Sequence, residues 1–150
     1  MGDSILVVGG TGTLGRAVVD QLLATLDADA RVRVLSRGRR PHTPTDRVRY
    51  AVGDITTGAG LAEALAGVTT VVACADPLDH LVEAALRAER PHLVYISIVG
   101  IDRVPLRYYR RKLADEQLLT GSGLPATVLR ATQFHDLVAA ALRLAATDRK

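Results

Sequence analysis

The sequence contains few aromatic residues, a single cysteine and no long apolar run. Among its 150 residues there is no tryptophan, one phenylalanine, one cysteine and four histidines. A lone cysteine, Cys74, excludes an internal disulfide, and the histidines lack the spacing of metal ligands, so we expect no metal site. No apolar run approaches the roughly 20 residues that span a bilayer, and no basic leader precedes the first apolar stretch. We therefore expect a soluble, cytoplasmic protein with no membrane partner.

The charge is small overall but unevenly distributed. The formal net charge is +3, yet no acid occurs between Asp29 and Asp46. Five arginines lie in that interval: Arg31, Arg33, Arg37, Arg39 and Arg40. Nucleic-acid binding would require stacking aromatic residues near them, which the composition does not supply. The cluster therefore predicts a small phosphate-bearing ligand and no nucleic-acid partner.

Apolar, β-branched runs alternate with helical patterns along the whole chain, which is typical of βαβ units around a parallel sheet. The predicted strands are residues 5–8, 32–35, 48–52, 70–73, 93–97 and 127–129, and the predicted helices are residues 13–26, 61–66, 78–87, 108–119 and 134–146. The third strand alternates apolar and polar residues, as a half-exposed edge strand does. These features predict one α/β domain, a Rossmann-type doubly wound parallel sheet of order 3-2-1-4-5-6 with helices on both faces.

A glycine-rich segment joins the first strand to the first helix. In this position the free backbone N–H groups and the positive end of the helix favour a diphosphate. Gly10 would allow the tight turn, Gly12 the approach of the diphosphate, and Gly15 the close packing of the helix. The alternative is a plain strand-to-helix turn with surplus glycine. The predicted dinucleotide contacts are Gly9, Thr11, Gly12, Thr13, Leu14 and Gly15.

The end of the second strand predicts which dinucleotide binds. Sites that prefer NAD usually have an acid there for the ribose hydroxyls, whereas this chain has Ser36-Arg37-Gly38-Arg39-Arg40. A guanidinium can bind a 2′-phosphate through paired, charge-assisted hydrogen bonds. We predict NADPH in preference to NADH, with Arg37 as the main contact and Ser36, Arg39 or Arg40 assisting. The alternative is a solvated basic loop.

Asp54 follows the third strand at the sheet edge where ligands of doubly wound folds bind. Its carboxylate could accept a hydrogen bond from the adenine amino group, with Ile55 against the ring. Equally, it could cap a following turn through Thr56 or Thr57. The sequence leaves both interpretations open.

Taken together, the chain resembles an atypical short-chain dehydrogenase/reductase, close to the NmrA-like NAD(P)-binding group. The matching segments are ILVVGGTGTLGR, VRVLSRGRR, VGDIT, HLVYISIVGID and YYRRKLADEQLL, which cover most of the chain from Ile5 to about His135. The resemblance implies a Rossmann core, NADP(H) binding and, in many members, oxidoreductase activity on a small carbonyl or quinone.

The same resemblance implies roles for residues in the second half of the chain. Tyr108 and Lys112 have the four-residue spacing of a catalytic pair, in which the lysine would lower the tyrosine pKa and hold the nicotinamide ribose. Ser97 resembles the hydroxyl that positions the substrate carbonyl. Ala73 and Cys74, at the end of the fourth strand, are expected to line the cofactor cleft.

The chain departs from this family pattern at its end, where one predicted helix follows the sixth strand and the usual substrate lobe is largely absent. The sequence leaves open a compact natural form, a fragment and a redesigned core. It also leaves open three functions: an oxidoreductase, an NADP(H)-sensing module without turnover, and a cofactor-binding core retained for folding. The substrate and oligomeric state are not indicated.

Overall fold

The computed structural model describes residues 4–38 and 46–132. Its strands are β1 (Ser4–Val8), β2 (Arg31–Ser36), β3 (Val48–Val52), β4 (Thr70–Ala73), β5 (His92–Ile98) and β6 (Ala126–Ala131). Its helices are α1 (Thr13–Thr25), α2 (Leu61–Leu65), α3 (Asp79–Arg87) and α4 (Arg107–Gly121). Every predicted element within these residues is present. The predicted helix 134–146, and with it His135, lies outside the described residues.

All six strands pair in parallel in the order β3-β2-β1-β4-β5-β6. The Rossmann-type prediction is therefore confirmed. The third strand lies at the edge of the sheet, as predicted, with Val48 buried and Arg49 exposed, although Val52, on the same face as Val48, is 65% exposed. This order places the carboxyl ends of β1 and β4 side by side where the strand order reverses, which is the usual ligand position in such sheets.

Alternate residues of β1 face two separate apolar layers. Leu6 and Val8 join the larger layer, which α2, α3 and α4 cover, whereas Ile5 and Val7 join the layer under α1. All four side chains are at most 6% exposed. Complete burial of one such side chain contributes about 1.5–3 kcal/mol. The central strands are therefore anchored on both faces, and their carboxyl ends provide a rigid base for a ligand site.

Helix α4 differs from the other helices because its covered face is largely ionisable. Lys112, Asp115, Glu116 and Leu119 share one helical stripe, and all four are buried. Buried charges are costly unless they are paired or hydrogen-bonded. The partners of these groups therefore determine what the helix does.

None of the helices within residues 4–38 and 46–132 has the length and hydropathy of a membrane-spanning segment.

Candidate functional site

A cleft opens at the carboxyl ends of β1, β2, β3 and β4. Its lining combines the glycine-rich loop, the end of β2 and the loops after β3 and β4. The lining residues are Val8, Gly9, Thr11, Leu35, Ser36, Arg37, Gly53, Asp54, Ile55, Thr56, Ala75 and Asp76. The cleft therefore contains six residues predicted from the sequence for one ligand: Gly9, Thr11, Ser36, Arg37, Asp54 and Ile55.

The glycine-rich loop leads directly into α1, whose first turn is left open. Gly12 is the N-cap, no side chain caps the turn, and the turn contains no acid. The backbone N–H groups of Thr13 and Leu14 stand at the positive end of the helix dipole, where an anion is stabilised. The Thr11 carbonyl accepts a hydrogen bond of 3.1 Å from Arg16 Nε, which places a guanidinium beside the same turn. This end of the helix fits a diphosphate.

The loop can pass so close to α1 only because glycine occupies its contact points. Gly9 has a φ of +77°, and a Cβ there would lie 2.9 Å from the Cβ of Ala75. The residue with the positive φ in the tight turn is thus Gly9, and not Gly10 as the sequence predicted. Gly10 is required for space instead, because a Cβ there would lie 2.7 Å from Val34 Cγ1. At Gly15 a Cβ would lie 2.0 Å from the Gly9 carbonyl oxygen. The helix start is therefore packed directly on the loop.

The end of β2 presents one buried hydroxyl and one exposed cation to the cleft. Ser36 is 6% exposed, and its Oγ accepts a hydrogen bond of 3.2 Å from the Gly38 N–H. Arg37 is exposed and forms no hydrogen bond or ion pair within the part of the chain that the structure describes. Arg39 and Arg40 lie outside the described residues. Arg37 thus offers a guanidinium at the open side of the cleft.

Asp54 begins a turn after β3. Its Oδ1 accepts hydrogen bonds from the Thr56 N–H at 2.8 Å and from Thr56 Oγ1 at 2.6 Å. These bonds, with a smaller effect of the nearby Arg37, hold the pKa of Asp54 below its usual value. Of the two interpretations open from the sequence, the geometry supports the turn cap, and Oδ1 already has two donors. Ile55 is 8% exposed and lines the cleft beside it.

After β4, the residues that line the cleft lie two positions beyond Ala73 and Cys74, which the sequence predicted. Ala73 is fully buried, and Cys74 packs partly against the layer under α1. Burial raises the pKa of the Cys74 thiol to about 11, although the nearby Lys112 opposes this shift. The thiol is therefore protonated at neutral pH, which is consistent with a small packing residue. Ala75 and Asp76 line the cleft instead.

Lys112 lies at the centre of a buried cluster that the sequence did not reveal. Its Nζ donates to Asp76 Oδ1 at 3.2 Å, to the Tyr95 hydroxyl at 3.1 Å and to the Ile96 carbonyl at 3.0 Å. The Tyr95 hydroxyl in turn donates to Asp76 Oδ1 at 2.5 Å. Burial, followed by the contact with Asp76, raises the pKa of Tyr95 well above its usual value, so this tyrosine stays neutral. Because Asp76 also lines the cleft, the cluster connects α4 to the ligand site.

Tyr108 stands at the edge of this cluster. Its ring centroid lies 5.8 Å from Lys112 Nζ, and the residue is 53% exposed. The sequence predicted that Lys112 would lower the tyrosine pKa, but the pKa of Tyr108 is raised by partial burial and then by the charge of Asp76. The lowered pKa that the resemblance implied is therefore not found for Tyr108, and its role as a proton donor stays a prediction.

Ser97 lies on the covered face of β5 and not in the cleft. It is 1% exposed, and among residues 4–38 and 46–132 its Oγ has no hydrogen-bond partner of good geometry, although it lies near enough to Glu116 to help lower the Glu116 pKa. Glu116 accepts two hydrogen bonds from Arg130, at 3.0 Å and 2.7 Å. Burial raises the pKa of Glu116, but the hydrogen bonds from Arg130 and Ser97 and the charge of Arg130 together outweigh it, so the pKa lies below its usual value. The contact of Ser97 with a substrate carbonyl, which the resemblance implied, stays a prediction.

Comparison with known families decides the class of ligand. The model of the NAD(P)H-binding family matches residues 9–149, which include the whole glycine-rich loop and α4. The chain belongs to the NAD(P)H-binding family. The resemblance to atypical short-chain dehydrogenases/reductases is confirmed, and the cleft is the candidate nucleotide site.

Proteins similar to this chain have different functions by name. A (4-alkanoyl-5-oxo-2,5-dihydrofuran-3-yl)methyl phosphate reductase from Streptomyces griseus is 35% identical over 87% of this chain and 48% of its own length. The photosystem II assembly factor Ycf39 of Trieres chinensis is 30% identical over 88% of this chain and 46% of its own. The chain thus spans about half the length of these relatives.

Among solved structures, the triphenylmethane reductase of Citrobacter sp. complexed with NADP(H) superposes with a TM-score of 0.78. It is 26% identical, and the match covers 90% of this chain and 51% of the reductase.

Proposed function

We propose that the protein is an oxidoreductase that uses NADPH in preference to NADH and reduces a small carbonyl or quinone. The observation that supports the cofactor preference is the exposed guanidinium of Arg37 at the open side of the cleft, where NAD-preferring sites have an acid. Reduction as the reaction class is supported by the similarity to the triphenylmethane reductase of Citrobacter sp. and to the Streptomyces griseus reductase.

The residues present fit such a cofactor. The uncapped start of α1 would bind the diphosphate, Arg37 the 2′-phosphate, and Lys112 the nicotinamide ribose. When bound, the cofactor supplies the hydride. Tyr108 is placed on the exposed side of Lys112, where its phenol would donate the proton that the reduced oxygen requires.

Calorimetric titration with NADPH and NADH tests the cofactor assignment. For Arg37→Ala we expect about a 10- to 100-fold loss of NADPH affinity with NADH affinity unchanged, since hydrogen bonds to charged groups contribute about 1.5–3 kcal/mol. Arg49→Ala is the matched control, because Arg49 is an exposed arginine on β3 that does not line the cleft. If neither nucleotide binds at millimolar concentration, the proposal fails at its first step. Equal losses for both nucleotides would remove Arg37 from 2′-phosphate recognition.

A second candidate, an NADP(H)-sensing module without turnover, is favoured by the raised pKa of Tyr108 and the covered hydroxyl of Ser97. The similarity to an assembly factor supports it as well. Steady-state consumption of NADPH with a panel of quinones and small carbonyls separates the two functions. Turnover above the rate without substrate supports the enzyme, whereas tight binding without turnover supports the sensor. The third alternative, a core retained for folding, predicts no nucleotide binding at all.

A further inference from the structure

Lys112 is unusual in this chain because lysine is almost absent from it: the sequence contains only Lys112 and Lys150. Lys112 is 7% exposed, and its ammonium lies 4.7 Å above the Tyr95 ring. A buried ammonium is stable only when its hydrogens have acceptors. The identity of those acceptors therefore decides whether this lysine can bind anything else.

All three ammonium hydrogens are already used. The three acceptors are the Asp76 carboxylate, the Tyr95 hydroxyl and the Ile96 carbonyl. A lysine ammonium has three donors and no more. A cofactor hydroxyl can therefore bind Lys112 in full only by replacing one of these acceptors.

Only one of the three acceptors lies where a cofactor hydroxyl could replace it. Ile96 belongs to the backbone of β5, and Tyr95 is fully buried. The Asp76 side chain is 19% exposed and lines the cleft on the loop after β4. When it releases Lys112, its carboxylate still accepts the hydrogen bond from the Tyr95 hydroxyl.

We infer that Asp76 is a positioning residue that competes with the cofactor for Lys112. Without cofactor, Asp76 holds the ammonium inside a closed cluster with Tyr95. On binding, a ribose hydroxyl takes the place of Asp76 as acceptor, and Asp76 stays bonded to Tyr95. This inference rests on the proposed function, because it assigns Lys112 to the cofactor ribose.

The competition has a direct thermodynamic consequence. When only a fraction of the protein has its binding group available, the measured affinity falls by that fraction. The carboxylate also places a negative charge in a cleft that must accept an anionic cofactor. Removing this charge while keeping the side-chain shape should therefore strengthen cofactor binding. The loss of a side chain that contacts the cofactor would weaken it.

The first test is calorimetric titration of NADPH into the Asp76→Asn variant. Asparagine keeps an acceptor for Tyr95 but loses the charge that holds Lys112. We expect NADPH to bind about three- to tenfold more tightly, the order of effect of one charge near a protein surface. Asp79→Asn is the matched control, because it removes the same charge from the first turn of α3, where Asp79 has no contact with Lys112. The control should stay within about twofold of wild type.

A double variant shows whether the gain depends on Lys112. In a Lys112→Ala background, Asp76→Asn should produce a clearly smaller tightening, because no ammonium is left to release and only the direct effect of the lost charge remains. Unchanged or weaker NADPH binding by folded Asp76→Asn would overturn the inference. So would an equal gain in the Lys112→Ala background or in Asp79→Asn.

A second test needs no cofactor. Acetylation of Lys112 by an amine-reactive reagent, followed by mass spectrometry, reports how available the amine is, and Lys150 gives an internal reference within the same molecule. We expect at least threefold faster acetylation of Lys112 in Asp76→Asn than in wild type or Asp79→Asn. Equal rates would overturn the inference. If wild type binds no nucleotide, the proposed function fails, yet this test still decides whether Asp76 restrains Lys112.

Discussion

The contact between α1 and the glycine-rich loop predicts a specific effect for Gly15→Ala. A Cβ at this position would lie 2.0 Å from the Gly9 carbonyl oxygen and 2.5 Å from the Gly10 Cα, whereas real Cβ contacts are not shorter than 3.0 Å. Both atoms belong to the backbone, so no side chain can move aside. The start of the helix would have to shift by roughly 1 Å, and overpacking of this kind costs about 1–3 kcal/mol.

The expected results are a lower melting temperature and weaker NADPH binding. A loss of about 2 kcal/mol corresponds to a fall of about 4–8 °C for a chain of this size. A shift of 1 Å would also lengthen the hydrogen bonds from the first turn of α1 to the diphosphate, and we expect at least a tenfold weaker affinity. Circular dichroism melting and calorimetry measure the two effects.

Gly121→Ala is the control for this substitution. Gly121 is also helical, but its added Cβ would meet nothing within 4 Å. Alanine is normally better than glycine in a helix by about 0.5–1 kcal/mol, so this variant should be as stable as wild type or slightly more stable. If Gly15→Ala melts within about 1 °C of wild type and binds NADPH with unchanged affinity, the close packing of α1 on the glycine-rich loop determines neither stability nor NADPH binding.

Two further predictions concern titration. The raised pKa of Cys74, to about 11, predicts slow alkylation by iodoacetamide at pH 7.5 and a rate that rises steadily towards pH 10; rapid labelling of the folded protein at pH 7.5 would contradict the assigned burial. Because the pKa of Glu116 is lowered by Arg130, the stability that this pair contributes is fully present above the usual glutamate pKa and is lost as the pH falls through the lowered value. Glu116→Gln should therefore lower the melting temperature at pH 7 and have a smaller effect at pH 3, and equal losses at both pH values would contradict this assignment.

The elements of the fold could be predicted because their signals are local. Residues 5–8 and 70–73 are continuous apolar runs, as strands covered on both faces are, and the glycine-rich loop needs only seven consecutive residues to be recognised. The position of Arg37 at the cleft could be predicted for the same reason, because it depends only on where Arg37 lies after β2.

The centre of the candidate site could not be predicted, because it depends on contacts between strands. In the sequence, Tyr95 has the pattern of an ordinary core residue of β5. It lies near Asp76 only because it pairs with Ala73 on β4. The covered position of Ser97 follows from the two-residue alternation along β5, which places it on the same face as Tyr95. This signal was present in the sequence, but the family resemblance gave Ser97 a different role. The raised pKa of Tyr108 had no sequence signal, because Asp76 is 32 positions away.

The contact between Gly9 and Ala75 joins two loops that would handle opposite ends of a dinucleotide. A Cβ on Gly9 would lie 2.9 Å from the Ala75 Cβ and 3.0 Å from the Cys74 carbonyl carbon, so the two loops leave no room for a side chain at this position. Ala75 directly precedes Asp76, the residue whose carboxylate contacts Lys112. A larger residue at position 9 is therefore expected to disturb both the glycine-rich loop and the loop that carries Asp76.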